Sequence, residues 1–151
     1  MTKEREKLEQ LKKEYEDWIK RELSDIKSFS ELAWTRIDTK KWNHIRFTIE
    51  TGLNKAVYYD IKDKRSDKKF ELETVVAFCV GIGATRIQAD EYINAAGYNP
   101  KTNIEYQLYA FLFTKMNGRP IDEWNDYLEM IGKHPINRQR KNSHSPIDVM
   151  N

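Results

Sequence analysis

The sequence predicts an all-α fold. Along most of the chain, apolar residues recur at spacings of three and four, which is the period of a helix with one apolar face. Only four prolines and six glycines interrupt the 151 residues, so few positions break these long helical periods. A chain of this length can form one domain with its own hydrophobic core and still carry additional helices.

The composition indicates a polar protein from a reducing compartment. Hydrophobic residues make up 39% of the chain and charged residues 33%, and no apolar run approaches the roughly 20 residues needed to cross a bilayer. The chain is charged from Lys3 onward, so we expect no signal peptide. Cys79 is the only cysteine, which excludes an intrachain disulfide. We therefore expect a cytoplasmic protein without a membrane partner.

Residues 1–26 predict a highly charged helix that carries a single apolar stripe. One interpretation is a dimerisation arm, and the other is a helix packed on its own domain. Glu22 interrupts the stripe, and three heptads are short for an independent coiled coil, which favours packing on the same domain. The stripe consists of Leu8, Leu11, Tyr15, Trp18, Ile19, Leu23 and Ile26.

The segment 44–62 predicts two short helices joined by a tight turn at Thr51-Gly52-Leu53. Gly52 is the pivot, because glycine adopts a positive φ without steric penalty. Asn54 is suited to cap the second helix through its side-chain oxygen. The spacing about Gly52 puts four residues on the inner faces of the two helices, namely Phe47, Leu53, Tyr58 and Ile61.

The outward face of the second helix is polar, small or aromatic. Such a face suits a helix lying in the major groove of DNA. The predicted outward residues are Asn54, Lys55, Ala56, Tyr59 and Lys62.

These residues resemble the helix-turn-helix of lambda-repressor-like proteins of the XRE family. Residues 70–98, FELETVVAFCVGIGATRIQADEYINAAGY, are similar to the next two helices of that family and their closing Ala-Gly-Tyr. The resemblance covers about residues 28–98. It implies a lambda-repressor-like helix-turn-helix bundle that binds double-stranded DNA, with base contacts from Asn54, Lys55, Ala56 and Tyr59. The chain departs from the family at Thr48, at Tyr58 and at Asp60, which places a negative charge near the DNA-facing surface.

The distribution of charge agrees with a phosphate-binding surface. Residues 27–69 carry 11 basic and 6 acidic side chains, whereas residues 70–97 carry 1 and 4. A local basic excess is the electrostatic footprint of a nucleic-acid site, and the alternative is a solvated lysine-rich surface. Asp38-Thr39 predicts a cap for a helix beginning near Lys40 or Lys41, and Trp42 suits either a phosphate contact or the core. The predicted phosphate contacts are Lys40, Lys41, Asn43 and Lys62, and the resemblance implies that the loop after the second helix adds Lys64, Arg65, Lys68 and Lys69.

Residues 71–82 are apolar almost all round, which predicts a helix buried on several sides. Within it, Cys79 is expected to act as a small core hydrophobe, and Gly81 and Gly83 are expected to end the helix. Thr85 is expected to cap a helix over residues 86–96, with Gly97 at its end. One core should contain Leu53, Tyr58, Ile61, Val76 and Phe78.

Residues 103–116 and 121–131 predict a final helical pair around an Asn-Gly-Arg-Pro turn. This pair resembles a helical extension that follows XRE-like domains in some bacterial phage and mobile-element proteins. Tyr106, Tyr109 and Tyr127 suit either an interaction surface or the core, and we favour the core. The predicted apolar stripes are Ile104, Leu108, Phe111 and Leu112 on the first helix, and Trp124, Leu128 and Ile131 on the second.

We divide the chain into an N-terminal amphipathic helix (1–26), a helix-turn-helix domain (27–98), a C-terminal helical hairpin (99–136) and a disordered basic tail (137–151). The sequence contains no Walker loop, Cys-x-x-Cys, His-Glu-x-x-His or Gly-x-Gly-x-x-Gly motif, so we expect neither an enzyme nor a metal or other cofactor.

We expect a sequence-specific DNA-binding transcriptional regulator. One recognition helix reads only a few base pairs, so a homodimer is expected. The alternative is a phage or mobile-element protein that uses the same fold as a protein-binding inhibitor module. Asp60, the modest net charge of +2 and the long flanking helices motivate that alternative.

Overall fold

The structure, a computed structural model, describes residues 2–25, 27–63 and 68–137. Within these ranges the chain forms eight helices and no strand, which confirms the all-α prediction. The helices are α1 (Lys3–Asp25), α2 (Phe29–Lys40), α3 (His44–Thr51), α4 (Lys55–Lys62), α5 (Leu72–Gly81), α6 (Arg86–Ala95), α7 (Ile104–Lys115) and α8 (Ile121–Met130).

Helix α5 lies at the centre of the packing. It contacts α3, α6, α7 and α8, while α2 packs on α4 and α6. Because α5 has neighbours on several sides, its residues 75–80 are all buried. One apolar cluster joins α2 through α8, and it contains all five residues predicted for the core, Leu53, Tyr58, Ile61, Val76 and Phe78.

Local side-chain chemistry fixes several helix ends. Ser28 begins α2 with a capping box in which its hydroxyl accepts from the Glu31 amide. Thr85 forms the same arrangement with Gln88 at the start of α6, as its position predicted. Gly97, with a φ of 97°, follows α6, and the next amide donates back to the carbonyl of Ile93. This left-handed closure satisfies backbone groups that would otherwise lack partners.

Gly81 has a different role from the one that its sequence position suggested. It does not end α5 by adopting a positive φ, as Gly83 does, but is the last residue of the helix itself. A Cβ atom at Gly81 would lie 2.6 Å from Thr51 Cγ2, 2.9 Å from the Glu50 carbonyl oxygen and 3.0 Å from Thr51 Cα. The absence of a side chain at Gly81 therefore allows α3 and α5 to approach closely.

Helix α1 forms as predicted, but it does not bury its apolar stripe. Leu8, Leu11, Tyr15 and Trp18 are between 50% and 66% exposed. The interpretation that this helix packs on its own domain is therefore wrong for these residues. The side chains of Leu23 and Ile26 lie outside the described part of the structure.

Helix α7 buries a different face from the predicted stripe. Leu112 is buried, whereas Ile104 is 88% exposed and Phe111 is 50% exposed. The helix contacts both α5 and α6, so its buried residues are those that face these two helices: Tyr106, Tyr109, Ala110, Leu112 and Phe113. The core assignment of Tyr106 and Tyr109 is thus confirmed.

Helix α8 and the segment after it pack against the rest of the core. Trp124 lies edge-on to Phe113 with the ring centroids 4.7 Å apart, and Leu128 is buried, but Ile131 is exposed. The Asn125 amide donates to the Ile136 carbonyl, and its oxygen accepts from the Ile136 amide. Except for its first residue, the predicted disordered tail (137–151) lies outside the described residues.

Candidate nucleic-acid interface

The turn between α3 and α4 is built by three neighbouring residues. Gly52 has a φ of 74° and ends α3 by donating its amide to Thr48. The buried Thr51 hydroxyl donates to the Phe47 carbonyl and accepts from the Leu53 amide. Since one side chain satisfies groups on both sides of the glycine, the crossing of the two helices is fixed locally.

The inner face of α4 is anchored by aromatic contacts. Tyr58 lies edge-on to Phe47 at 5.5 Å and to Trp34 of α2 at 5.7 Å. Ile61, one turn further along α4, is fully buried. Burial of Tyr58 and Ile61 on one side leaves the opposite side of α4 exposed.

The exposed side of α4 carries the residues that the sequence predicted to face outward. Asn54, Lys55, Ala56, Tyr59 and Lys62 are all exposed. The side-chain oxygen of Asn54 accepts from the Val57 amide at 3.1 Å and so caps the helix. Asn54 therefore serves as the predicted cap, and its amide nitrogen is the remaining group available for a contact with a base.

Four of the five described lysines that were predicted to contact phosphate have partners within the protein. The Nζ atoms of Lys40, Lys62 and Lys69 lie 5.5, 5.9 and 4.9 Å from the ring centroids of Trp42, Trp34 and Tyr98. Lys68 Nζ lies 3.4 Å from Asp60 Oδ2. Cation–π contacts and a partly exposed ion pair of this kind are individually weak. They restrict where each ammonium group lies, and they leave these groups at the surface.

The predicted placement of Lys40 and Lys41 at the start of a helix is wrong, whereas Asn43 does begin one. Helix α2 continues to Lys40, and within it the Thr39 hydroxyl donates to the carbonyl of Thr35 and does not cap a new helix. Lys41 ends α2 with a φ of 58°. Asn43 caps α3 by accepting from the Arg46 amide at 2.9 Å. Lys40 and Lys41 therefore stand at a helix C-terminus, where positive charge is favourable.

Two further predicted phosphate contacts, Lys64 and Arg65, lie outside the described residues. The net charge of α4 together with its C-terminal cap, Asp63, is zero, since Lys55 and Lys62 are matched by Asp60 and Asp63. Any basic excess at this surface therefore comes from the residues that flank α4.

Two side chains near this surface, His44 and Trp34, were not considered as site residues from the sequence, and Trp42 was assigned to either a phosphate contact or the core. The His44 ring lies 6.0 Å from that of Tyr59, and this places it beside the exposed face of α4. Trp34 and Trp42 lie beneath Lys62 and Lys40. Trp42 is partly buried and packs against the core. The sequence alone does not show which aromatic rings lie against lysine side chains, because these contacts depend on how α2, α3 and α4 pack together.

An acidic cleft lies between α5, α7 and the segment after α8, and Tyr98 is one of its lining residues. It is an open cleft of about 600 Å³, lined in part by Glu71, Glu73 and Glu105. Burial raises the pKa of the adjacent Tyr109 to about 12, and the charges of Glu73 and Glu105 add to the rise. This negative potential makes the cleft unsuited to phosphate.

Among the described residues, no group of three or more His, Cys, Asp or Glu side chains could hold a metal ion. Cys79 is fully buried, and burial raises the pKa of its thiol. No helix in the described ranges is both long enough and apolar enough to cross a membrane. Comparisons with protein-family models, curated proteins and solved structures found no match to this chain.

Proposed function

We propose that the chain is a sequence-specific DNA-binding regulator with a lambda-repressor-like helix-turn-helix arrangement. The observation that carries the proposal is the presentation of α4. Its inner side is fixed by buried Tyr58 and Ile61, its start is capped by Asn54, and its outer side is exposed. A rigid helix with one exposed polar face is what insertion into a major groove requires.

Each residue type on this face has a role in the proposal. Lys55 donates to acceptors on a guanine edge, and the Ala56 methyl group contacts a thymine methyl. Tyr59 adds an aromatic edge, and the Asn54 amide nitrogen adds a donor. Contacts to the phosphates come from the flanking side chains of Lys40, Lys41, Lys62, Lys68 and Lys69.

The proposal includes a homodimer, since one helix reads only a few base pairs. Two exposed apolar surfaces support it among the described residues. The stripe on α1 includes Leu11 and Trp18, and α7 exposes Ile104 and Phe111. Either surface would lose exposed apolar area by pairing with a second copy.

A selection of binding sites from random DNA duplexes tests the proposal. We expect the purified full chain to recover one sequence motif. The Lys55→Ala variant should recover a motif with reduced preference at one position, because one base contact is lost. Lys101→Ala is a matched control, since Lys101 is an exposed lysine outside α1, α4 and α7, and it should recover the wild-type motif. Recovery of no motif by the wild-type chain would contradict the proposal.

The second candidate is a protein-binding inhibitor module of a phage or mobile element. Ile45 and Ile49, one turn apart on α3, are 56% and 65% exposed, and the charge of α4 together with its C-terminal cap Asp63 is balanced. Apolar side chains beside a surface of balanced charge favour a protein partner over phosphate. A selection without a recovered motif, together with loss of protein capture in Ile49→Lys, would support this candidate.

A further inference from the structure

The segment Lys68–Phe70 leads into α5, and we call it the basic strap. Side chains from two other parts of the fold hold it at three points. Lys68 is ion-paired to Asp60 of α4. The Lys69 ammonium lies over the ring of Tyr98, and the Tyr98 hydroxyl donates to the Phe70 carbonyl at 2.6 Å.

The strap and its anchor are both attached to the core. Phe70 is buried and lies edge-on to Phe29, with the ring centroids 5.1 Å apart. Tyr98 follows the left-handed Gly97, and its own amide donates to the Ile93 carbonyl at the end of α6. One side chain, Tyr98, therefore fixes a carbonyl of the strap and lies under one of its ammonium groups, although it is 28 residues away from Phe70 in the sequence.

An anchored strap changes the entropy of a phosphate contact. Lysine side chains and mobile backbone lose conformational freedom when they bind, and this loss opposes association. If the strap is already fixed in the free protein, less freedom remains to be lost. A residue that anchors the strap therefore increases the affinity for phosphate without touching the phosphate itself.

We propose that Tyr98 is a positioning residue that pre-organises Lys68 and Lys69 for contact with DNA phosphates. This inference rests on the proposed DNA-binding function. The ring of Tyr98 orients Lys69, and its hydroxyl fixes the backbone between the strap and α5. Asp60 supports the same arrangement through Lys68 on the α4 side.

Substitution of Tyr98 separates these two contributions. Tyr98→Phe keeps the ring and removes the hydroxyl, so the strap gains freedom in the free protein that binding must then remove. We expect duplex affinity to fall about fivefold, the most that the loss of one such hydrogen bond would allow. Tyr98→Leu removes the aromatic ring as well and should bind still more weakly. In both variants the salt dependence should equal that of the wild type, because both lysines remain. Lys69→Ala should instead lower the salt slope by about one unit.

Tyr106→Phe is the matched control. It also removes one tyrosine hydroxyl, here a donor to Asp90 at 2.7 Å, from a residue of α7 that does not touch the strap. We expect its duplex affinity to equal that of the wild type at temperatures where both are folded. Equal losses of affinity in Tyr98→Phe and Tyr106→Phe would assign the effect to stability and overturn the positioning role.

NMR order parameters of the free protein give a readout that needs no DNA. We expect lower backbone order parameters for residues 69–71 in Tyr98→Phe than in the wild type. Wild-type order parameters and wild-type affinity in that variant would overturn the inference while leaving the proposed function intact. If the wild-type chain shows no salt-dependent binding to duplexes, the inference and the proposed function are both wrong.

Discussion

Gly81→Ala tests the close approach of α3 to α5, which fixes the position of α4. The added Cβ would lie between 2.6 and 3.0 Å from three atoms of Glu50 and Thr51, well inside the usual carbon contact distance of about 3.5–4.0 Å. Two of these atoms belong to the backbone, so a change of side-chain rotamer cannot relieve the overlap.

The expected change in stability follows from two opposing effects. Overpacking of this kind costs about 1–3 kcal/mol, and backbone overlap puts Gly81 in the upper part of that range. Alanine in place of glycine in a helix recovers about 1 kcal/mol. We therefore expect a net loss of about 1–2 kcal/mol, or a fall in Tm of roughly 2–8 °C for a chain of this size.

Chemical denaturation followed by circular dichroism measures this loss. Thr51→Ser, combined with Gly81→Ala, tests whether the overlap can be relieved from the other side. It removes Cγ2, the atom nearest to the added Cβ, and keeps the hydroxyl that bonds to Phe47 and Leu53. The double variant should recover part of the loss caused by Gly81→Ala alone. A Gly81→Ala variant as stable as the wild type would refute the reasoning about the α3–α5 contact.

Three further predictions concern the core, self-association and alkaline pH. Phe78→Ala should lower the free energy of unfolding by about 3–5 kcal/mol, measured by urea denaturation, because Phe78 is fully buried; an unchanged midpoint would contradict its place in the core. Sedimentation should show that the wild type is a dimer and that one of the two variants, Leu11→Glu or Phe111→Glu, is a monomer. A wild type that remains monomeric at high concentration would exclude the dimer. The free energy of unfolding should fall as the pH rises from about 10 to 12, because Tyr109 ionises near pH 10 in the unfolded chain but has a pKa of about 12 in the folded state. Tyr109→Phe should make this fall smaller. The same dependence of stability on pH in Tyr109→Phe and in the wild type would contradict the prediction.

The turn around Gly52 was predictable because its determinants are local. Gly52, where the turn requires a positive φ, and the Asn54 cap are only two residues apart, and the hydrogen bonds that they make span four and three residues. The inner faces of α3 and α4 follow from the same short spacing. Thr85 and Gly97 were assigned for the same reason.

The start of α3 was misplaced because local signals compete. Asn43 caps α3 through a bond to the Arg46 amide. Asp38 and Thr39 are also residue types that cap helices, but they lie within α2, where the Thr39 hydroxyl bonds to the preceding turn. Lys41 adopts a left-handed conformation that favours glycine or asparagine. The sequence therefore placed the lysines at the wrong end of a helix.

The buried face of α7 and the role of Gly81 depend on distant partners. The residues Ile104, Leu108 and Phe111 have helical spacing, and so do Tyr106, Tyr109 and Phe113. Only the positions of α5 and α6 decide which set is buried. The contact of Gly81 with Thr51 joins residues 30 apart, which periodicity cannot reveal. The partners of Lys62, Lys68 and Lys69 were missed for the same reason.

The affinity for DNA duplexes as a function of salt concentration tests the central proposal most directly. It should be measured for the wild type, Lys55→Ala and Lys68→Ala on the preferred sequence and on an unrelated one. We predict that Lys55→Ala weakens binding to the preferred sequence alone by about 1–3 kcal/mol. Lys68→Ala should weaken binding to both sequences about equally and lower the salt slope by roughly one. Weak wild-type binding without sequence preference, unchanged in either variant, would contradict the DNA-reading role of α4.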